Sequence, residues 1–181
     1  MARHDEVQVE LVCTDRRVDL IEEGFDLAIR AGELDDSSLV ARRLGQFKRV
    51  LVAAPGYCKQ HGTPRTPADL SKHACLAFGA GARPAEWTLL SDGKKATVRV
   101  TPRLTVNDFE ILRAAAHAGQ GIASLPDFTC AGDVSAGRLR RVLAEWHSAE
   151  TPVHALYPTA RHLLPKVGRF VELLQERLRL T

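Results

Sequence analysis

Apolar and polar residues alternate in several short runs of the chain and recur at helical spacing in others. Val7, Val9, Leu11 and Cys13 alternate through residues 7–13, the period-two pattern of a half-buried strand. Thr14 or Asp15 can then cap a short helix reaching about Glu23, which Gly24 is placed to end. Phe25, Leu27 and Ile29 share one face of a further strand. Strands are also predicted over 39–44 and 50–54. Pro55 opens a short helix, because proline suits a first helical turn.

The middle of the chain predicts a buried strand over 75–79 and a hairpin over 86–100, turning at Asp92-Gly93. After residues 103–106, Asn107 or Asp108 caps a helix running to about Ala118, with Phe109, Ile111, Leu112, Ala115 and Ala116 as its apolar positions. Gly119 and Gly121 end that helix, and 122–125 form a short strand closed by Pro126. A further helix, a turn at Gly137 and a short strand near 139–143 follow. The chain finishes with a strand over 152–158 and an amphipathic helix over 163–178. Val167, Phe170, Val171, Leu174 and Leu178 line its apolar stripe. Strands alternating with helices predict an α/β fold with covered sheets. The last strand and helix are expected to return to the first lobe. Two lobes are therefore expected, 1–76 with 150–181 and 77–149, joined by crossings near 76–80 and 149–152.

Composition narrows the class. A chain of 181 residues suffices for one domain or two small lobes, and buries roughly 70% of its unfolded surface without needing a staple. With 45% hydrophobic and 26% charged residues it has the balance of a soluble globular protein. No run approaches the ~18 uninterrupted apolar residues of a membrane span, and the charged start MARHDEVQVELV does not resemble a secretory signal. No membrane contact and a cytoplasmic location are the expectations. The net charge of +3 is mild, and the arginine pairs at 16–17, 42–43 and 140–141 are scattered, unlike a nucleic-acid face. Cysteines 13, 58, 75 and 130 lack the close spacing of a zinc site. Buried, reduced thiols are expected, Cys13 and Cys75 as small core residues.

Candidate chemistry thins out on inspection. The glycines of 119–124 follow a helix and precede a strand, the reverse of a dinucleotide fingerprint. Ser124 lacks the strand-to-helix elbow of a nucleophile. The seven histidines show no metal-ligand spacing, and His154, on an apolar strand, reads as a hydrogen-bonded core or rim residue. Asp26 and Asp108 form no demonstrable carboxylate pair. Residues 112–128 suggest a helix-turn-helix, but Pro126 arrives where a recognition helix must run. No catalytic residue, metal or cofactor is expected. A binding cleft remains, built from loops at 30–32, 54–55, 78–79 and 107–108, where α/β sheets collect ligands. Arg30 can hold a carboxylate bidentately; a salt bridge within the lobe, to a residue such as Glu33, is the alternative.

The stretches VDLIEEGFDLAIRAG, SSLVARRL, AAPGY, TPADLSKHACL, VNDFEILRAAAHAGQGIASLPDF and YPTARHLLPKVGRFVELLQERL, in this order, resemble the effector-binding domain of LysR-type transcriptional regulators. The resemblance spans nearly the whole chain. It implies two α/β lobes like those of type-2 periplasmic binding proteins, with a small-molecule effector in the cleft between them. The cleft would be lined by Arg30, Ala54, Pro55, Phe78, Gly79, Asn107, Asp108, Ser124, Leu125 and Pro126. The effector would be a small molecule such as a carboxylate. Family members pair side by side as dimers or tetramers. That surface would comprise Val9, Leu11, Arg16, Val18 and Ile21 against Leu112 and Ala115 of the partner's helix. DNA would be reached only through a winged helix-turn-helix that this sequence does not contain, and the first lobe is expected to lack its opening strand and helix. A solute receptor of the same fold and a dimerisation-only module are the other readings.

Overall fold

The computed structural model describes residues 7–14, 16, 18–34, 38–79, 84–158, 165–178 and 180. In chain order, strands β1 (Ala28–Ala31), β2 (Leu39–Phe47) and β3 (Arg49–Ala53) precede helix α1 (Pro55–His61) and a 3-10 turn, Pro67–Lys72. Then come β4 (Cys75–Phe78), β5 (Ala85–Ser91), β6 (Lys94–Val100) and β7 (Pro102–Val106). Helix α2 (Phe109–His117), β8 (Ile122–Pro126), α3 (Asp127–Ser135) and β9 (Arg140–Arg141) follow. The chain closes with β10 (Thr151–Pro158) and α4 (Pro165–Arg177).

Strand pairing sorts these into a three-stranded sheet, β1–β10–β2, and a five-stranded sheet, β7–β4–β8–β3–β9, with β5–β6 as a hairpin. The first sheet is antiparallel, with His154 opposite both Arg30 and Arg43 and Thr151 opposite Phe47. Helix α4 lays Val167 and Val171 on one face, over Leu44, Phe47, Val153, Ala155 and Tyr157. In the second sheet β4 runs parallel to β7 and β8, while β3 runs antiparallel to β8. Its α2-side core holds Val50, Val52, Leu76, Leu112, Ala123 and Leu125; the opposite face buries Leu51, Ala53, Cys75, Ala77 and Trp87. The hairpin turns where expected, at Asp92 and Gly93, both with positive φ. It is bridged to β3 through His147, which pairs with both Leu90 and Val50.

The central position of β3 moves one expectation. A continuous apolar run is buried on both faces, and residues 50–53 satisfy this inside the second sheet, between β8 and β9. The chain therefore first changes sheet at Lys48, between β2 and β3, and not near 76–80, where β4 already lies in the second sheet. It returns through Ser148, whose N–H donates to Arg49 O at 2.9 Å.

The opening of the chain also departs from expectation. Residues 7–13 form no strand, and Val7, Val9, Leu11 and Val12 are exposed. Cys13 is exposed too, not a core thiol. An alternating pattern yields a strand only when a neighbouring edge supplies ladder bonds that offset the lost chain entropy. No described residue pairs with the outer edge of β1. Asp15 lies outside the described residues; among the described residues of 14–23 the expected helix is reduced to a turn, in which Asp19 Oδ1 accepts from Ile21 N and Glu22 N and Leu20 alone is buried.

Candidate functional site

Because β4, β7 and β8 run the same way, their C-terminal ends, Phe78, Val106 and Pro126, share one edge of the second sheet. Arg49, the first residue of β3, pairs with Pro126 at the same edge. Both passages between the sheets arrive there. Arg49 N–H donates to Ser148 Oγ at 2.9 Å, and Asp127 N–H donates to Lys48 O at 3.0 Å. Phe47, ending β2, meets Phe128 of α3 edge-on at 5.6 Å. In α/β sheets this C-terminal edge is where ligands gather.

Phe78 is 38% exposed and stacks on Phe109 with ring centroids 4.1 Å apart and planes at 16°. Gly79 N–H donates to Val106 O at 3.1 Å, which seats the loop after β4 against the end of β7. Asp108 caps α2: its Oδ1 accepts from Glu110 N at 2.7 Å and Ile111 N at 2.9 Å. Both of these helix amides are bonded by the one oxygen, so Asp108 holds the start of α2 and positions Phe109.

Of the expected cleft residues, Phe78, Gly79, Asn107, Asp108 and Pro126 come together at this edge. Ser124 lies inside β8, buried, on the Arg49 side of the sheet. Leu125 is fully buried in the α2-side core, so it reaches no ligand. Ala54 and Pro55 are elsewhere. Since β3 is antiparallel to β8, its end lies at the opposite edge, and the two line a groove of about 460 Å³ with Tyr57, Gln60, His117 and Arg138. Arg30 belongs to the first sheet, beside a smaller cavity of about 210 Å³ with Asp19, Leu20, Ala28 and Leu39. No hydrogen bond or ion pair joins Arg30 to Glu33. His154 keeps a buried Nδ1 without a partner among the described residues, not the hydrogen bond expected of it.

The expected pairing surface divides similarly. Val9, Leu11 and Ile21 are exposed, Val18 and Ala115 half-buried, and Arg16 is held by Glu23 at 2.8 Å. Leu112 cannot meet a partner, since α2 turns it inward, fully buried, over β4 and β8; Ile111 is the exposed neighbour.

Two groups escaped the sequence reading. Asp133, on α3, is buried and receives Arg113 Nη1 at 2.8 Å, Arg138 Nη2 at 2.7 Å and His117 Nε2 at 2.9 Å. Bonds from His117, then Arg113 and Arg138, hold its carboxyl well below the usual range, against the opposing effect of burial. The node ties α2 to α3. Arg49 is the other: half-buried, with burial lowering its pKa and no partner for its guanidinium among the described residues. Its only linear signal is a charge at the head of the apolar run 50–54.

The model of the LysR substrate binding domain matches residues 1–179 of the 181-residue chain. The chain belongs to the LysR substrate-binding domain family. Its relatives include the HTH-type transcriptional regulator CrgA of Neisseria meningitidis serogroup C (strain 8013), 36% identical over 177 residues, 97% of this chain and 59% of that protein. The HTH-type transcriptional regulator PtxR of Pseudomonas aeruginosa PAO1 is 35% identical over 172 residues, 95% of this chain and 55% of that protein. The chain thus spans little more than half the length of these curated relatives. Among solved structures, the CrgA regulatory domain, from a LysR-type transcriptional regulator of Neisseria meningitidis, superposes with a TM-score of 0.87 at 34% identity, covering 98% of this chain and 87% of that one. The regulatory domain of AphB in Vibrio vulnificus gives 0.79 at 30% identity, covering 96% and 86%. The chain shares the two-lobed, periplasmic-binding-protein-like α/β fold of these regulatory domains.

Proposed function

We propose that this LysR substrate-binding domain senses a small-molecule effector held between its two lobes and serves as the regulatory part of a transcriptional regulator. The lobes would be residues 7–47 with 150–180, and 48–149, hinged at Lys48 and Ser148. The observation that carries this reading is the half-exposed Phe78–Phe109 stack on the edge where both crossings meet. A guest on that edge touches the residues that set the angle between the lobes. It switches the protein only as far as it prefers one angle over another.

Binding without turnover fits the site, because Ser124 sits within a buried central strand and not on an exposed turn. Contact with DNA would fall to a helix-turn-helix region of the kind for which the relatives are named, and a regulator of that kind would work in the bacterial cytoplasm. The exposed Leu11 and Ile21 support self-association as a homodimer.

The test is a thermal-shift screen against a library mixing neutral, cationic and anionic small molecules, followed by small-angle scattering with each hit. At least one compound is expected to raise Tm and change the radius of gyration. A chain that no compound stabilises is not a sensor, and a dimer of that kind is a pairing module only.

A further inference from the structure

The groove at the far edge of the second sheet gathers the end of β3, the end of α2 and the approach to β9. Its volume of about 460 Å³ lies in the range of small-molecule sites. Small residues such as Ala54, Gly56 and Gly119 leave it open, and Gln60, His117 and Arg138 bring polar side chains to it. Two of these three are held from behind by one buried carboxylate. Asp133, 4% exposed, accepts from Arg138 Nε and Nη2 through Oδ1, at 2.9 and 2.7 Å. Its Oδ2 accepts from His117 Nε2 at 2.9 Å. Arg138 Nη1 and His117 Nδ1 have no partner among the described residues. Asp133 is shared with Arg113 as well, so one negative charge meets two guanidinium groups. No Asp or Glu lines the groove. Arg140, exposed and unpartnered among the described residues, pairs with Ala53 just before the groove's Ala54. The groove thus presents positive charge on side chains whose orientation is already fixed.

We propose that this groove is a second ligand site, separate from the interlobe edge, and that it takes the phosphate group of a small phosphorylated molecule. Arg138 has given its Nε–Nη2 pair to Asp133. What remains comes from separate parts of the chain: Arg138 Nη1, the His117 ring and the Gln60 amide. Groups spread around a groove suit a tetrahedral anion, whose several oxygens accept in different directions, better than a planar carboxylate. Arg138 and Gln60 donate to phosphate oxygens. His117 Nδ1 donates when the ring is protonated, or accepts the proton of a phosphate monoanion; the contact survives in both forms. The rest of the ligand lies over Pro55 and the turn at Ala118 and Gly119, which also line the groove.

The experiment measures thermal shift and calorimetric affinity for glycerol 3-phosphate, ribose 5-phosphate and inorganic phosphate at constant ionic strength. Glycerol, ribose and citrate are the controls, and a short DNA duplex is the macromolecular competitor. The full chain is used as wild type, Arg138→Met, Gln60→Glu and Lys95→Met. At least one phosphate compound is expected to bind while its phosphate-free counterpart and citrate do not. Arg138→Met should weaken it about tenfold, the loss of one charge-assisted bond. Gln60→Glu puts a negative charge into the groove and leaves the bonds of Asp133 intact, so about tenfold or more is expected there too. Lys95→Met, which removes an exposed charge from the hairpin, should bind as wild type. If Arg138→Met does not fold, Gln60→Glu decides alone. The proposal fails if no phosphate compound binds, if citrate binds equally well, or if Gln60→Glu binds like wild type. It fails too if Lys95→Met weakens binding as much as the groove variants, which would make the attraction a matter of net charge. Tighter binding of the duplex, with the same dependence on Gln60, would assign the groove to a nucleic-acid backbone and overturn the small-molecule assignment.

Discussion

Gly121 runs so close to Ala74 that a Cβ at position 121 would overlap the Ala74 carbonyl, and its φ of +156° is one that L side chains rarely adopt. The approach lets Ile122 N–H donate to Ala74 O at 2.8 Å, which sets β8 beside β4. Gly121→Ala is therefore expected to destabilise the fold by about 2–3 kcal/mol, a drop in Tm of about 5–10 °C. Gly137→Ala is the control. Its φ of +71° also disfavours a side chain, but nothing lies within 4 Å, so about 1 kcal/mol is expected. Equal losses in thermal denaturation would show that crowding at Ala74 is unimportant.

Asp133→Asn should strand three donors around a buried site and cost about 2–3 kcal/mol, somewhat less than a fully buried pair because Arg113, His117 and Arg138 are partly exposed. The folded carboxyl titrates below its ordinary 3.8, so its contribution is complete above that value and lost as pH falls toward the folded one. Denaturant titrations of both proteins should differ at pH 7, and the difference should begin to shrink below about pH 4 and go on shrinking as the pH falls further. A gap that persists on acidification would assign the loss to packing.

Thiol reactivity should be sharply divided. Burial pushes Cys75 up to about 12 and Cys130 up to about 11, whereas Cys13 is exposed. Since the thiolate is the reactive form, Ellman's reagent at pH 8 should label Cys13 first, and Cys58, Cys75 and Cys130 only on unfolding. Rapid labelling of Cys75 in the native protein would mean that the second lobe opens locally.

Phe78→Ala removes a ring that is already 38% exposed, so stability should change by about 1 kcal/mol or less. Affinity for any effector found by screening should nevertheless fall about tenfold, because the ring is proposed to face the guest. Calorimetry on the variant checks this, and unchanged affinity would move the site away from the α2 edge.

Local chemistry was legible along the chain and directional chemistry was not. The Asp92-Gly93 turn, the Asp108 cap and the stripe of Val167 and Val171 depend on neighbours within a few residues, and each stands where it was expected. Ala54 and Pro55 were grouped with Phe78 because each follows an apolar strand. Whether they share an edge depends on β3 running against β8, which no local pattern records. Residues 7–13 carry the pattern of a strand without an edge to join. Arg49 stood in plain sight, but a guanidinium's lack of partners is visible only once its surroundings are assembled.

The outer edge of β1 has a consequence for handling the protein. Alternate residues of the four-residue strand point their backbone N–H and C=O groups outward there without a ladder partner among the described residues, and such a margin templates the addition of foreign strands. Concentrated stocks should thus form oligomers that grow with concentration and time. The shortness of the margin limits how firmly any added strand is held, which makes dilution an effective remedy.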